Sequence, residues 1–251
     1  MQLQASGLTK RYGSRTALDA VDLTLEPGVF GLLGPNGAGK STLMSILATH
    51  VAPTAGSLAI GDHRVFEGQR PGPGLEGARR LIGYLPQKFT IMSFSSVRRN
   101  VEVAAWAQGV DAAGVPAAAS RALARVGLAD RAESRARSLS GGMRQRLGIA
   151  CALAHDPQVV LLDEPTAALD PVQRAGLRDD LAELGRDRIV VVTTHIVEDI
   201  AHIAHRTVVM DHGAFRFDGT VADLAGLGGA DAVSPLEAGY RAVLADAVAA
   251  A

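Results

Sequence analysis

The sequence predicts an α/β fold: a mostly parallel sheet with helices, interrupted by a helical insertion. Three observations carry that expectation. Apolar runs of four residues, 159–162 and 189–192, have the length and branched composition of strands buried on both faces. A glycine-rich loop, 34–39, separates a short apolar stretch at 29–33 from Leu43, Ile46 and Leu47, which recur at helical spacing. Between about Pro86 and Asp156 the character turns helical, with apolar residues three and four apart over 97–108 and 116–126.

In chain order, Leu18, Val21, Leu23 and Leu25 mark a half-buried strand that ends in a turn at Pro27-Gly28. Residues 29–33 are a short buried strand, and the glycine loop and first helix follow. Residues 61–80, rich in Gly, Pro and charge, read as an exposed, variable connection before a strand at 81–85. Within the insertion, a glycine-rich stretch at 109–114 separates the two helices. After Pro157, strands are expected at 159–162, 189–193 and 207–210. Asp211-His212-Gly213 then suggests a hairpin into Phe215 and Phe217. Ser234-Pro235-Leu236-Glu237 has the pattern of a capping box with proline at the first helical position. Leu236, Tyr240, Val243 and Leu244 mark one apolar face of a closing helix.

Composition bounds the function. With 251 residues, 47% of them hydrophobic, the chain can bury a large core as one α/β domain or a domain with a subdomain. Aromatics are only 4%, so that core is built from Ala, Val, Leu and Ile. A net charge of −1 lacks the basic footprint of a nucleic-acid binder, and no nucleic-acid partner is expected. The single cysteine, Cys151, excludes an internal disulfide framework and fits a reducing compartment. No secretory signal is apparent at the N-terminus, and no run approaches the roughly 20 apolar residues of a spanning helix. Membrane association is therefore expected only through a partner.

Gly34-Pro35-Asn36-Gly37-Ala38-Gly39-Lys40-Ser41 matches the phosphate-binding loop G-x-x-x-x-G-K-[ST], between strand and helix as its chemistry requires. Glycines let successive N–H groups face phosphate, and the helix N-terminus adds positive potential. Lys40 is expected to reach the β- and γ-phosphates, and Ser41 to offer its hydroxyl to Mg²⁺. The chain has 22 arginines and only Lys10, Lys40 and Lys88 as lysines, so a retained lysine here supports a chemical role. The apolar strand 159–162 ends in Asp163-Glu164, where parallel sheets present residues to ligands. Asp163 is expected to hold Mg²⁺ directly or through water, and Glu164 to orient the attacking water or accept its proton.

Leu139-Ser140-Gly141-Gly142-Met143 resembles the signature segment of the ATP-binding cassette ATPases, whose usual form ends in glutamine. The resemblance runs from about Leu8 to Leu224 in motif order and spacing, and it assigns further residues. Tyr12 is similar to the aromatic that stacks on adenine, and Thr42 completes the nucleotide loop. Gln87 is similar to the glutamine that senses Mg²⁺ and the γ-phosphate. Ala168-Leu169-Asp170 is similar to a loop that crosses a dimer interface, and His195 to the switch histidine near the γ-phosphate. A lone histidine after a strand is otherwise more often a structural residue.

The family's fold is a P-loop NTPase core with a mostly parallel sheet, an N-terminal antiparallel β subdomain and an inserted helical subdomain. On this chain it implies residues 1–86 and 157–220 for the ATP-binding core, 87–156 for the helical subdomain and 221–251 for a C-terminal helical tail. Ser140, Gly141 and Gly142 would form an anion site that closes on a second subunit's ATP, head to tail, in a homo- or heterodimer.

Two residues depart from the family pattern. Met143 stands in place of the usual glutamine, and Ala167 stands where a serine is common. The resemblance also implies ATP and Mg²⁺ as ligands, an integral membrane permease as partner, and a place on the cytoplasmic face of the membrane. Motif wording is closer to drug- and peptide-export subunits than to importers. The apolar segment 89–94 is either a groove for a partner helix or part of the insertion's own packing. A soluble ATPase acting on a ribosome or DNA complex is the alternative. Its members carry paired cassettes or long coiled coils, and this chain shows neither.

Overall fold

The computed structural model describes residues 1–167, 169–229 and 232–249. Two sheets organise the chain. The first is antiparallel, in the order β2-β1-β4-β5-β6, from β1 (Leu3–Tyr12), β2 (Arg15–Leu25), β4 (Ala55–Ile60), β5 (His63–Glu67) and β6 (Arg70–Pro71). The second has the order β11-β10-β3-β9-β8-β7, from β3 (Gly28–Leu33), β7 (Ile82–Leu85), β8 (Val159–Asp163), β9 (Ile189–Thr193), β10 (Arg206–Asp211) and β11 (Ala214–Gly219). Its neighbours are parallel except for the β10–β11 hairpin.

Period-two alternation divides the buried strands between two cores. Val160 and Leu162 of β8, with Val190 and Val192 of β9, face the helical insertion. Val159, Leu161, Ile189 and Val191 face the antiparallel sheet and α1 (Lys40–Leu47). All eight are nearly inaccessible, and each contributes about 1.5–3 kcal/mol of transfer free energy. The insertion comprises α3 (Val97–Ala107), α4 (Val115–Arg125) and α5 (Gly141–Leu153). The remaining α-helices are α2 (Leu75–Arg79), α6 (Pro171–Leu184), α7 (Val197–Ala201), α8 (Val221–Gly226) and α9 (Pro235–Ala249). Leu236, Tyr240, Val243 and Leu244 of α9 cover a third apolar cluster with Leu33, Val197, Ile200, Val209 and Leu224.

Residues 61–80 are not the exposed connection that their composition suggests; they hold β5, β6 and α2. Val65 and Phe66 are both buried, which suffices to seat a short edge hairpin whose charges face water. The glycines here serve close approach. A Cβ on Gly72 would lie 2.3 Å from the Arg64 carbonyl oxygen. The tail differs in detail too. Ser234 accepts from the Glu237 N–H at 3.4 Å, but the Glu237 carboxylate pairs with Arg241. A reciprocal capping box occurs instead at Thr220 and Asp223, opening α8.

Candidate active site

The C-terminal ends of β3, β7, β8 and β9 converge, and the predicted catalytic residues follow them directly. After β3 the chain loops through 34–39 and enters α1. Gly39, the N-cap of α1, has φ 110°, and a Cβ there would lie 2.5 Å from the Ala17 carbonyl oxygen, so only glycine fits. No side chain caps α1, leaving its first N–H groups available to an anion. Lys40, 7% exposed, donates from Nζ to the carbonyls of Gly34 at 2.7 Å and Pro35 at 3.0 Å. Burial pulls its ammonium below the usual lysine range, and the Glu164 and Asp163 carboxylates act against that shift. The Ala38 carbonyl accepts from the Gly213 N–H at 2.8 Å, tying the loop to the β10–β11 turn.

Asp163 closes β8 at 3% exposure, and in the parallel register its neighbour is Thr193 at the end of β9. The Thr193 hydroxyl donates to Asp163 Oδ1 at 2.5 Å and accepts from the Glu164 N–H at 3.0 Å. Glu164 has φ 52°, a left-handed conformation rare for a residue with a side chain. Its Oε1 lies 3.3 Å from His195 Nδ1, with the Glu164 side chain 11% exposed and that of His195 57%.

A cleft of about 390 Å³ gathers most of the predicted ligand-binding set. Asn36, Gly37, Gly39, Lys40, Ser41 and Thr42 line it, with Tyr12 from β1, Gln87 beyond β7, and Glu164. Gly34, Pro35 and Ala38 lie behind this lining, where the carbonyls of the first two hold Lys40. Asp163 and His195 are not part of this lining; Asp163 is bonded to Thr193, and His195 stands beside Glu164. Tyr12 is half exposed, with the Lys10 ammonium 5.2 Å from its ring centroid. Arg15 and Ala17 also line the cleft, and sequence reasoning missed both. Arg15 is one arginine among 22 and carries no distinguishing pattern. Thr193 was passed over as part of a strand, although a hydroxyl closing an apolar run was a usable signal.

Ser140, Gly141 and Gly142 are not in the cleft. Ser140 is the N-cap of α5, its hydroxyl accepting from the Met143 N–H at 3.2 Å. Gly141 is exposed, and a Cβ there would meet nothing within 4 Å, whereas one on Gly142 would collide with Gln173. Met143 packs partly against the insertion's core. Of the interface-loop residues, Asp170 caps α6 through the Gln173 N–H at 2.9 Å, and Ala168 lies outside the described residues.

A second cleft of about 330 Å³ borders the insertion, with Phe89, Ile91, Met92, Ala104, Ala107 and Cys151 among its lining. Within the segment 89–94 the two phenylalanines differ. Phe89 packs inward, 2.7 Å from where a Cβ on Gly148 would stand. Phe94 is 78% exposed, with the Arg137 guanidinium 5.5 Å from its ring centroid. Burial pushes the Cys151 thiol up to about 12. Among the described residues, no cluster of three or more His, Cys, Asp or Glu is placed to hold a metal. None of the described helices is long and apolar enough to cross a membrane.

A phosphate loop at the end of one parallel strand, with paired acids at the end of another, defines the class of nucleoside triphosphatases with a phosphate-loop core. Residues 18–167 match the ABC transporter family, and the chain belongs to it. It is an ATP-binding, ATP-hydrolysing subunit of a transporter.

The chain is similar to the daunorubicin resistance ATP-binding protein DrrA3 of Streptomyces coeruleorubidus, 36% identical over 92% of this chain and 72% of the relative. It is also similar to the methionine import ATP-binding protein MetN of Xanthomonas euvesicatoria, 39% identical over 83% of this chain and 62% of that relative. The chain thus spans about two thirds of these relatives' lengths, somewhat more of the first and less of the second. Among solved structures it resembles the dimeric ATP-binding cassette MJ0796 in a post-hydrolysis state bound to ADP and Pi. That likeness has a TM-score of 0.77 and 26% identity, covering 87% of this chain and 98% of the other.

Proposed function

We propose that this subunit hydrolyses ATP at the cleft of Lys40 and Glu164 only when a second cassette supplies its signature segment. The observation that carries this reading is the separation of Ser140-Gly141-Gly142 from the cleft lined by Lys40, Ser41 and Glu164. In the reaction, Lys40 and the first N–H groups of α1 hold the β- and γ-phosphates, and Tyr12 stacks on the adenine. Glu164 accepts the proton of the attacking water as oxygen bonds to the γ-phosphorus. The bond to the β–γ bridging oxygen breaks, and ADP and phosphate leave. His195, beside Glu164, contacts the γ-phosphate, and Gln87 reports its presence to the insertion.

The donor set fits a magnesium ion, which characteristically uses one or two carboxylates together with substrate phosphates. Thr193 occupies Asp163 Oδ1, which leaves Oδ2 without a side-chain donor among the described residues. Ser41 and Gln87 line the cleft alongside. Bound Mg²⁺ neutralises charge developing on the phosphates.

The proposed membrane partner is an integral permease that lays a helix in the apolar cleft beside Phe89, with the subunit held at the cytoplasmic face. Exposed Phe94 and Trp106, 78% and 67% accessible in a chain poor in aromatics, support an interaction surface on this insertion. Residues 1–86 and 157–220 act as the nucleotide core, 87–156 as the arm that meets the permease, and 221–251 as a tail. Export is the proposed direction, on the wording of the motifs and on relatives named for drug resistance. The methionine-import relatives mark importing as the competing direction.

Replacing Glu164 with Gln tests the site. ATP binding, followed with a fluorescent analogue, is expected to stay intact while turnover falls about 100-fold or more. An ATP-bound dimer should accumulate on size-exclusion chromatography. Hydrolysis at the normal rate would overturn the assignment of Glu164 as base.

A further inference from the structure

We infer that the Thr193 hydroxyl is a positioning group that sets the geometry of Asp163 and Glu164 together. The inference rests on the roles proposed for those two carboxylates. Thr193 is fully buried at the C-terminal end of β9, whose other residues are Ile and Val. A hydroxyl has one proton to donate and two lone pairs to accept. Here the proton goes to Asp163 Oδ1 at 2.5 Å, and one lone pair accepts the Glu164 N–H at 3.0 Å. The Glu164 N–H also approaches the Thr193 carbonyl at 3.1 Å, so one residue of β9 holds the backbone of Glu164 twice.

Both tasks need holding. Asp163 is 3% exposed, and burying a polar group to that degree is costly unless its oxygens are hydrogen-bonded. Occupying one oxygen fixes the rotation of the carboxylate and turns the other oxygen to a single direction. Glu164 stands at φ 52° immediately before Pro165, a position where the proline ring already restricts the backbone. An N–H anchored from β9 keeps that conformation and aims the side chain at His195 and the cleft. A valine at position 193 would fill the same volume and suit the strand at least as well. Packing therefore does not explain the hydroxyl.

Comparing Thr193→Val with Thr193→Ser decides the matter. Valine is expected to lower kcat and to raise the Mg²⁺ concentration that half-saturates nucleotide binding, each by about 10–100-fold. Binding of the fluorescent nucleotide without Mg²⁺ should stay near that of the parent, while the melting temperature should fall by a few degrees because Asp163 Oδ1 loses its donor. Serine keeps the hydroxyl and should restore most of both losses. A merely structural role predicts the reverse order, with serine the more damaging because it loses a buried methyl. If valine sets a methyl so firmly against Asp163 that the protein does not fold, Thr193→Ala removes the hydroxyl without that contact and is read the same way. Parental kcat and Mg²⁺ response in the hydroxyl-free variant would overturn the inference. Glu164→Gln, run in parallel, separates the two failures. If it abolishes turnover while the hydroxyl-free variant behaves as the parent, the positioning role alone is wrong. If it hydrolyses normally, the reading of the site is wrong.

Discussion

Two helix starts in this molecule, that of α1 on Gly39 and that of α5 on Ser140, are finished to different degrees. At α1 the chain surrounds its own helix end. Gly39 touches the Ala17 carbonyl, Lys40 folds back on Gly34 and Pro35, and Ala38 is tied to Gly213. At α5 the Ser140 hydroxyl makes one capping bond, Gly141 faces open space, and none of this chain's phosphate-handling residues stands nearby. The same local chemistry, N–H groups at a helix start, is thus a complete cradle in one place and half of one in the other. On the proposed reading, packing rather than motif marks which end serves its own chain and which serves a neighbour.

The largest test of this contrast is Lys40→Ala, which removes the buried ammonium from the finished end. ATPase activity should fall to background in a phosphate-release assay, and retained activity would refute the loop's role. Glycine substitutions sharpen the comparison. Gly39→Ala forces a side chain into φ 110° and against a carbonyl, at about 1–3 kcal/mol of strain. It should lower the melting temperature by several degrees and weaken nucleotide binding. Gly141→Ala meets nothing within the chain and should leave melting temperature and monomer binding of the fluorescent nucleotide unchanged. Its cost should appear only in turnover and in ATP-dependent dimerisation. A Gly141 variant that melts early instead would make α5 a structural helix end like any other. The smallest expected effect is that of Phe94→Ser. Basal hydrolysis should stay within about twofold of the parent, as for most surface changes, while binding to membranes carrying the permease should fall several-fold.

Much of this contrast was legible in the sequence, because the signals at both ends are local. Gly39-Lys40-Ser41 and Ser140-Gly141-Gly142 declare a helix start by residue type, and the runs 159–162 and 189–193 declare strands by their apolar content. What escaped notice depended on distant neighbours. β1 pairs with both β2 and β4, and its alternating Leu-Gln-Ala-Ser start marks a strand without naming either partner. β5 is held by only two apolar residues in a charged segment. Arg15 joins the cleft because β2 passes beside the loop, and Thr193 meets Asp163 because β8 and β9 run in parallel register. Register between strands is a property of the assembled sheet, and no window of sequence contains it.

The seam between α5 and β7 has a mechanical consequence. A Cβ on Gly83 would lie 2.2 Å from the Ala152 carbonyl oxygen, so strand and helix touch backbone to backbone with no side chain to cushion them. That weld sits at the far end of α5, beside the apolar cleft that Gly148, Cys151 and Ala152 help to line. Over 13 residues α5 extends about 20 Å to its opening turn at Ser140. On the proposed reading, a permease helix seated in that cleft would press on one packed unit that carries Ser140 at the other end of α5 and Gln87 two residues past β7.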